Sequence, residues 1–169
     1  MAIIEFCDPR RKEKIVPAKS GLNWCFAKAH VSTNDAYLPL RKTFLRANAN
    51  LLPSHGERIN VIWDDGVEMV CLLEGTQDLD GERAPKQIST YKNKSILGTY
   101  LRRRLNVTSD HVITYQDLVQ SHVGINREIT PLGNVKVTFE VKEVGDYVLY
   151  IQGKNEYIVI NVIEKQNNQ

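Results

Sequence analysis

Two alternating runs joined by an Asp-Asp-Gly turn constrain this chain most. Ile59, Val61 and Trp63 stand at every second position, and after Asp64-Asp65-Gly66 the same spacing returns at Val67, Met69, Cys71 and Leu73. A period of two sends those side chains to one face of a strand. An Asp-Gly pair between two such runs signals a hairpin, because both residues accept positive φ. Val135, Val137, Phe139 and Val141 repeat the pattern between Lys136, Thr138, Glu140 and Lys142. Residues 147–151 and 157–163 read as two more strands around a turn at Gly153.

Helical signals are fewer and shorter. Pro39 suits the first turn of a short helix with Leu40, Phe44 and Leu45 on one side, ended by Pro53 and Gly56. Ser95 is read as an N-cap, followed by a stripe of Ile96, Leu97, Tyr100, Leu101 and Leu105, with Arg102 and Arg103 projecting away from it. Thr114 and Asp117 have capping-box spacing for a third short helix that stops before Gly124. Residues 23–37 read as a strand running into a loop, and residues 75–91, polar and broken by glycine and proline, as a long loop. Residues 1–22 read as an N-terminal extension, 23–163 as one domain and 164–169 as a polar tail. Short strands with two or three short helices imply an α+β, mainly β fold, a closed or half-closed barrel.

Composition narrows the class. At 169 residues the chain can bury a core, and no apolar run approaches the length of a bilayer span. The stretch 2–6 is too short and too acidic for a signal peptide. Cys7, Cys25 and Cys71 are odd in number and far apart, which points to reduced thiols in the cytoplasm.

The net charge of +2 conceals a strong segregation. Residues 10–50 hold nine basic against two acidic groups, and 51–82 one basic against eight acidic. From Arg83 to Arg104 there are seven Lys or Arg and no Asp or Glu. Two basic segments brought to one face would suit a polyanion.

The second basic segment also carries a pattern. Asn93, Ser95, Leu97, Gly98, Tyr100, Arg102, Arg104 and Leu105 spell N-x-S-x-L-G-x-Y-x-R-x-R-L. The pattern resembles the signature of B3-like DNA-binding domains, in particular the recognition domains of phospholipase-D-family restriction endonucleases, the BfiI/NgoFVII group. Gly21-Leu-Asn-Trp24, Asp35-Ala-Tyr-Leu-Pro-Leu40 and Asp64-Asp-Gly66 followed by Cys71 fit in the same order, so the likeness covers roughly residues 20–142. Cys25-Phe26 departs from it, where relatives place a glycine and a polar residue.

The resemblance implies a seven-stranded B3 pseudobarrel that reads double-stranded DNA in the major groove through two loops. Its N-arm would offer Lys28, His30, Ser32, Thr33, Asn34 and Asp35. Its C-arm would offer Gln77, Arg83, Lys86, Gln87, Ser89, Thr90, Tyr91, Lys92 and Asn93. Arg10, Arg11, Lys94, Arg102 and Arg103 would meet phosphates, although of Arg103 and Arg104 one could instead brace the arm. Arg or Lys suits guanine, Asn or Gln adenine, and a carboxylate cytosine N4. Trp24 and Tyr37 flank the N-arm as core anchors rather than stacking platforms.

Catalytic patterns point elsewhere. None of His30, His55, His111 or His122 has a lysine two residues on, as the phospholipase-D site requires. Glu140 and Lys142 have the spacing of a metal nuclease but fall on the polar face of a strand with no Pro-Asp upstream. Histidines and cysteines never pair at zinc spacing, and Gly75–Gly81 lacks a Gly-Lys-Ser/Thr. The expectation is a non-catalytic recognition domain, needing no cofactor and no membrane, whose nuclease domain or subunit acts in cis or trans. Met1 and the basic segment after it suit either an excised domain or a split subunit. The rivals are an RNA or single-strand binder, which would expose stacking aromatics, and a protein-interaction domain with basic loops.

Overall fold

A computed structural model describes residues 2–4, 6–28, 30–49, 51–63, 65–120, 135–139, 149–152 and 155–164. The chain forms two compact units. One comprises residues 1–4, 38–93 and 138–161, and the other 5–37, 94–137 and 162–169. The class is mainly β with a few short helices, as the alternation implied.

In the first unit, β2 (Leu38–Pro39), β3 (Arg58–Trp63), β4 (Glu68–Leu79) and β5 (Glu82–Thr90) form an antiparallel ladder in the order β2–β5–β4–β3. Helix α1 (Lys42–Ala47) lies between β2 and β3 in sequence. The full strand order adds β1 (Ala2–Ile4), β6 (Val135–Phe139) and β8 (Asn155–Glu164) as β1–β6–β8 beside β3, with β7 (Leu149–Gln152) on β8. β8 runs parallel to β3, Asn60 opposite Tyr157 and Trp63 opposite Ile160.

The expected hairpin at residues 64–66 is present. Trp63 donates to Val67 O (2.8 Å), and Gly66, at φ +81°, donates to Trp63 O (2.8 Å). The flanking Asp65 is described and Asp64 lies outside the described residues. Ile59, Val61, Trp63, Met69, Cys71 and Leu73 are all buried, so the period of two does define the core face. Burial pushes the Cys71 thiol up to about 12, leaving it a neutral apolar filler.

Residues 75–91, read as a loop, are instead most of a second and longer hairpin. The ladder runs from Cys71 opposite Thr90 to Leu79 opposite Glu82, interrupted only at Gly75 (φ +66°), and Asp80 (φ +54°) and Gly81 (φ +89°) make the turn. Two consecutive positive φ values match the twist of the strands, which is why Asp-Gly is favoured there. Pro39 is a second correction. It sits in the edge strand β2 opposite Gln87, where a missing N–H costs nothing, and α1 begins only at Lys42.

The second unit is built around α2 (Ser95–Leu105), with α3 (Tyr115–Gln120) after it. Residues 21–26 wind into a 3-10 helix, not the strand expected. The segment kinks at Asn23 (φ −105°, ψ 20°), which is fully buried. Its Nδ2 donates to Pro17 O (2.9 Å) and Ile113 O (2.8 Å), and its Oδ1 accepts from Ile113 N (2.8 Å). The segment read as an extension supplies β1 and buried Ile4 to the first unit, and buried Phe6, Val16 and Leu22 to the second. At α2 the N-cap position is Lys94 rather than Ser95 and makes no side-chain cap. At α3, Thr114 N donates to Asp117 Oδ2 (2.7 Å) and Asp117 N to Thr114 Oγ1 (3.4 Å), the capping-box arrangement.

Asn23→Ala removes the partner of three backbone groups at once, two of them buried. It should destabilise the chain by about 3 kcal/mol in urea unfolding, since each buried group left unsatisfied costs about 1–3 kcal/mol.

Candidate nucleic-acid interface

The N-arm, 25–35, runs from the end of the 3-10 helix into a loop described on either side of residue 29, and its two ends are tied together. Cys25 N donates to Asp35 O (2.9 Å), Asp35 N to Ser32 O (3.1 Å), and Ser32 N to Asp35 Oδ2 (2.7 Å). Asp35 is buried, and its carboxylate shapes the loop. Lys28, His30, Ser32 and Thr33 remain exposed. His30 (φ +56°) and Asn34 (φ +66°) take the left-handed conformation, which turns the chain sharply within a few residues.

Beneath this loop α2 approaches at backbone distance. A Cβ on Gly98 would lie 1.6 Å from Asn34 O and 3.1 Å from the Ala36 side chain. Asn34 Nδ2 donates to Thr99 Oγ1 (3.1 Å), and Ala36 N to Lys94 O (3.4 Å). Trp24 and Tyr37 meet edge to face (centroids 5.3 Å, 75°) at the root of the arm, and Lys94 Nζ lies 4.9 Å from the Trp24 ring.

The arginines of α2 divide sharply. Arg102, expected to point at phosphates, is buried. Its Nη1 donates to Thr108 O (2.9 Å) and His111 O (2.7 Å), its Nη2 reaches Cys25 Sγ (3.6 Å), and the guanidinium lies 5.5 Å from the Phe26 ring. Buried guanidinium must find acceptors, and the carbonyls after the helix supply them. Arg104 is also buried, with Nη1 on Tyr100 Oη (2.8 Å). Arg103 alone of the three is exposed, 5.9 Å from the Tyr100 ring. Gly98 and Arg102 are four residues apart, so the helical stripe itself could have placed Arg102 inside.

The C-arm residues lie along the β4–β5 hairpin. Gln77 Nε2 donates to Leu40 O (2.6 Å), just after β2, and to Pro85 O (2.9 Å). Ser89 and Thr90 are buried, Ser89 Oγ on Glu74 Oε1 and Thr90 Oγ1 on Asn93 O (2.6 Å). Gln87 Nε2 donates to the same Glu74 oxygen (3.0 Å). Those four side chains are engaged in hydrogen bonds within and beside the hairpin. Arg83, Lys86, Lys92 and Asn93 are exposed, and Tyr91 is half-buried. The tip is acidic: Asp78, Asp80 and Glu82 are exposed there, and Asp80 is gripped by Arg46 through Nε–Oδ2 (2.9 Å) and Nη2–Oδ1 (2.7 Å). That pair holds the Asp80 carboxyl below the usual carboxylate range, mainly through the hydrogen bond itself. Of the other expected phosphate contacts, Arg10 is spent on Asp8 (2.9 Å), and Arg11 is exposed.

Among the described residues no group of three or more His, Cys, Asp or Glu could hold a metal, and no helix is long and apolar enough to cross a membrane.

Residues 4–126 match the family model of the NgoFVII C-terminal B3-like DNA-binding domain. The chain belongs to this family. No curated protein matches it. The match takes in both arms and the whole of α2, and begins well before residue 23, consistent with buried Ile4 and Phe6. In this B3-like DNA-binding domain Leu97, Gly98, Tyr100, Arg102, Arg104 and Leu105 of the α2 motif are buried. The motif is thus a scaffold for the N-arm, and the residues that face solvent lie on either side of it.

Gly98→Ala forces a methyl group into the Asn34 carbonyl. It should cost about 3 kcal/mol in thermal or urea unfolding, the upper range for overpacking. Thr99→Ala, which deletes only an exposed hydrogen bond, should cost less than about 1 kcal/mol by the same measurement.

Proposed function

We propose that this B3-like domain is the target-recognition part of a restriction endonuclease. It reads a short double-stranded site in the major groove through the N-arm, 25–35, and the C-arm, 77–94, and its strands close as the seven-stranded pseudobarrel of B3-like domains. Cleavage belongs to a phospholipase-D-like nuclease domain or subunit acting in cis or trans.

The observation that carries this reading is the family match across 4–126, a span that contains both arms. Two features support it. The N-arm is tied at both ends, which lowers the ordering cost of binding, and presents Lys28, His30, Ser32 and Thr33 to solvent. The β4–β5 hairpin is a two-stranded ribbon, a shape the major groove admits, and carries exposed Arg83 and Lys86. Its acidic tip is compatible with base edges, where a carboxylate accepts from cytosine N4, and unfavourable beside phosphates.

Selection from a randomised duplex library, with sequencing of the bound fraction, tests the reading directly. A single enriched motif is expected. Uniform recovery, or stronger retention of single strands than duplex, would overturn it. Supercoiled plasmid should stay intact with the chain in magnesium, zinc or EDTA, and site-specific cutting would show a nuclease within these residues.

With the selected duplex in hand, Lys86→Ala should weaken cognate binding by about 1–3 kcal/mol with little change for scrambled DNA. Gln87→Ala should cost less discrimination, because its amide is engaged by Glu74. Lys28→Ala with His30→Ala should lower discrimination even with the C-arm intact. Equal losses for every sequence from all three variants would reduce the arms to positioning elements.

A further inference from the structure

We propose that Arg58, Tyr91 and Lys92 form a phosphodiester-binding point at the base of the β4–β5 hairpin, at the opposite end of the ribbon from its tip. The proposal rests on the duplex-recognition reading and adds to it a residue outside both arms. Arg58 is the single basic residue among 51–82, against eight acidic ones.

The geometry is that of a supported cation. Arg58 opens β3 and is exposed, while the next residue, Ile59, is buried on the other face. Tyr91 follows the last residue of β5 and is held there by its N–H on Val70 O (2.9 Å). The Arg58 guanidinium lies 3.6 Å from the Tyr91 ring centroid, and its Nη2 donates to Tyr91 Oη. Lys92, at φ +64°, brings its Nζ to 5.5 Å from the same ring.

Three consequences follow. Stacking holds the guanidinium plane in place, so less freedom is lost when its remaining N–H groups meet an anion. No carboxylate pairs with Arg58 or Lys92 among the described residues, so both charges remain to be neutralised. With Arg58 lying on its ring, Tyr91 holds a cation and does not offer that face to a nucleobase. A phosphate oxygen pair, planar and bidentate toward guanidinium, fits this arrangement better than an unstacked base.

Position along the hairpin strengthens the assignment. Asp78, Asp80 and Glu82 are exposed at the tip, where Arg83 faces Asp78 and Arg46 pairs with Asp80. Tyr91 lies nine residues beyond Glu82, about 30 Å along an extended strand at ~3.3 Å per residue. The exposed carboxylates of the ribbon's turn thus stand beside Arg83 and Arg46, whereas Arg58 and Lys92 at its other end have no carboxylate partner among the described residues.

Fluorescence anisotropy over a salt series, with the selected duplex, a scrambled duplex and a single strand of equal length, tests this. Arg58→Gln should weaken both duplexes by the same factor, roughly tenfold. It should also lower the slope of log affinity against log salt by about 0.9. Lys92→Gln should act in the same direction. Arg58→Lys should recover the slope without the full affinity, since charge returns but the bidentate fork does not. Tyr91→Leu should mimic Arg58→Gln, and the double variant should be no weaker than either alone. The proposal is overturned if the wild-type chain binds duplex while Arg58→Gln, melting as the wild type does, changes neither affinity nor slope. It is equally overturned if the loss is confined to the cognate duplex, which would make Arg58 a base reader. A wild-type chain that binds no duplex, or prefers the single strand, would instead remove the recognition reading on which the proposal rests.

Discussion

The contact on which most of the N-arm depends is the one between Gly98 and the backbone at Asn34. A helix can approach a loop this closely only where it lacks a Cβ, and a Cβ here would sit 1.6 Å from a carbonyl oxygen. Neighbouring contacts then become available within hydrogen-bond range: Ala36 N on Lys94 O, Asn34 on Thr99, and the tie from Cys25 to Asp35. Asn34 itself is left-handed, a conformation that Asn tolerates better than most residues. The N-arm is thus a loop cast against a helix, and its exposed residues are displayed from a fixed base.

Charge in this chain has two separate uses. Arg102 and Arg104 are buried and satisfy carbonyl and hydroxyl acceptors, and Arg46 is committed to Asp80. Taking two guanidinium groups out of water is costly unless they are hydrogen-bonded, so their role is to tie α2 to the segment that follows and to its own Tyr100. Lys28, Arg83, Lys86, Arg103, Arg58 and Lys92 are exposed and have no carboxylate partner among the described residues. The electrostatic surface is accordingly smaller than the seven basic groups of 83–104 suggest, and it gains one member from the acidic stretch before it.

The β4–β5 hairpin shows why linear charge blocks mislead. In sequence, 51–82 is acidic and 83–104 is basic, as though two surfaces were being specified. Antiparallel pairing folds the boundary between them back on itself, so Asp78 stands opposite Arg83 and Glu74 opposite Gln87. Acidic and basic residues therefore share one ribbon, with the carboxylates gathered at its turn and the cations at Arg83, Lys86 and the Tyr91 end.

Several features were determined by sequence alone because they rest on local periodicity or on a short spaced motif. Alternation at 59–63 and 67–73 identified the core face, the Thr114–Asp117 spacing the start of α3, and the 93–105 motif the family. The long hairpin was also legible in principle, since Asp80-Gly81 is as good a turn signal as Asp65-Gly66, but Pro85 and the polar run concealed it. Tertiary structure alone decided which polar side chains are spent internally. Asn23 reaches Ile113 across ninety residues, Arg102 reaches Thr108 and His111, and Glu74 gathers Gln87 and Ser89. Periodicity records which side of an element is apolar. It carries no information on which distant acceptor a guanidinium or amide will find, and that pairing separates the residues that build this domain from those left to meet a ligand.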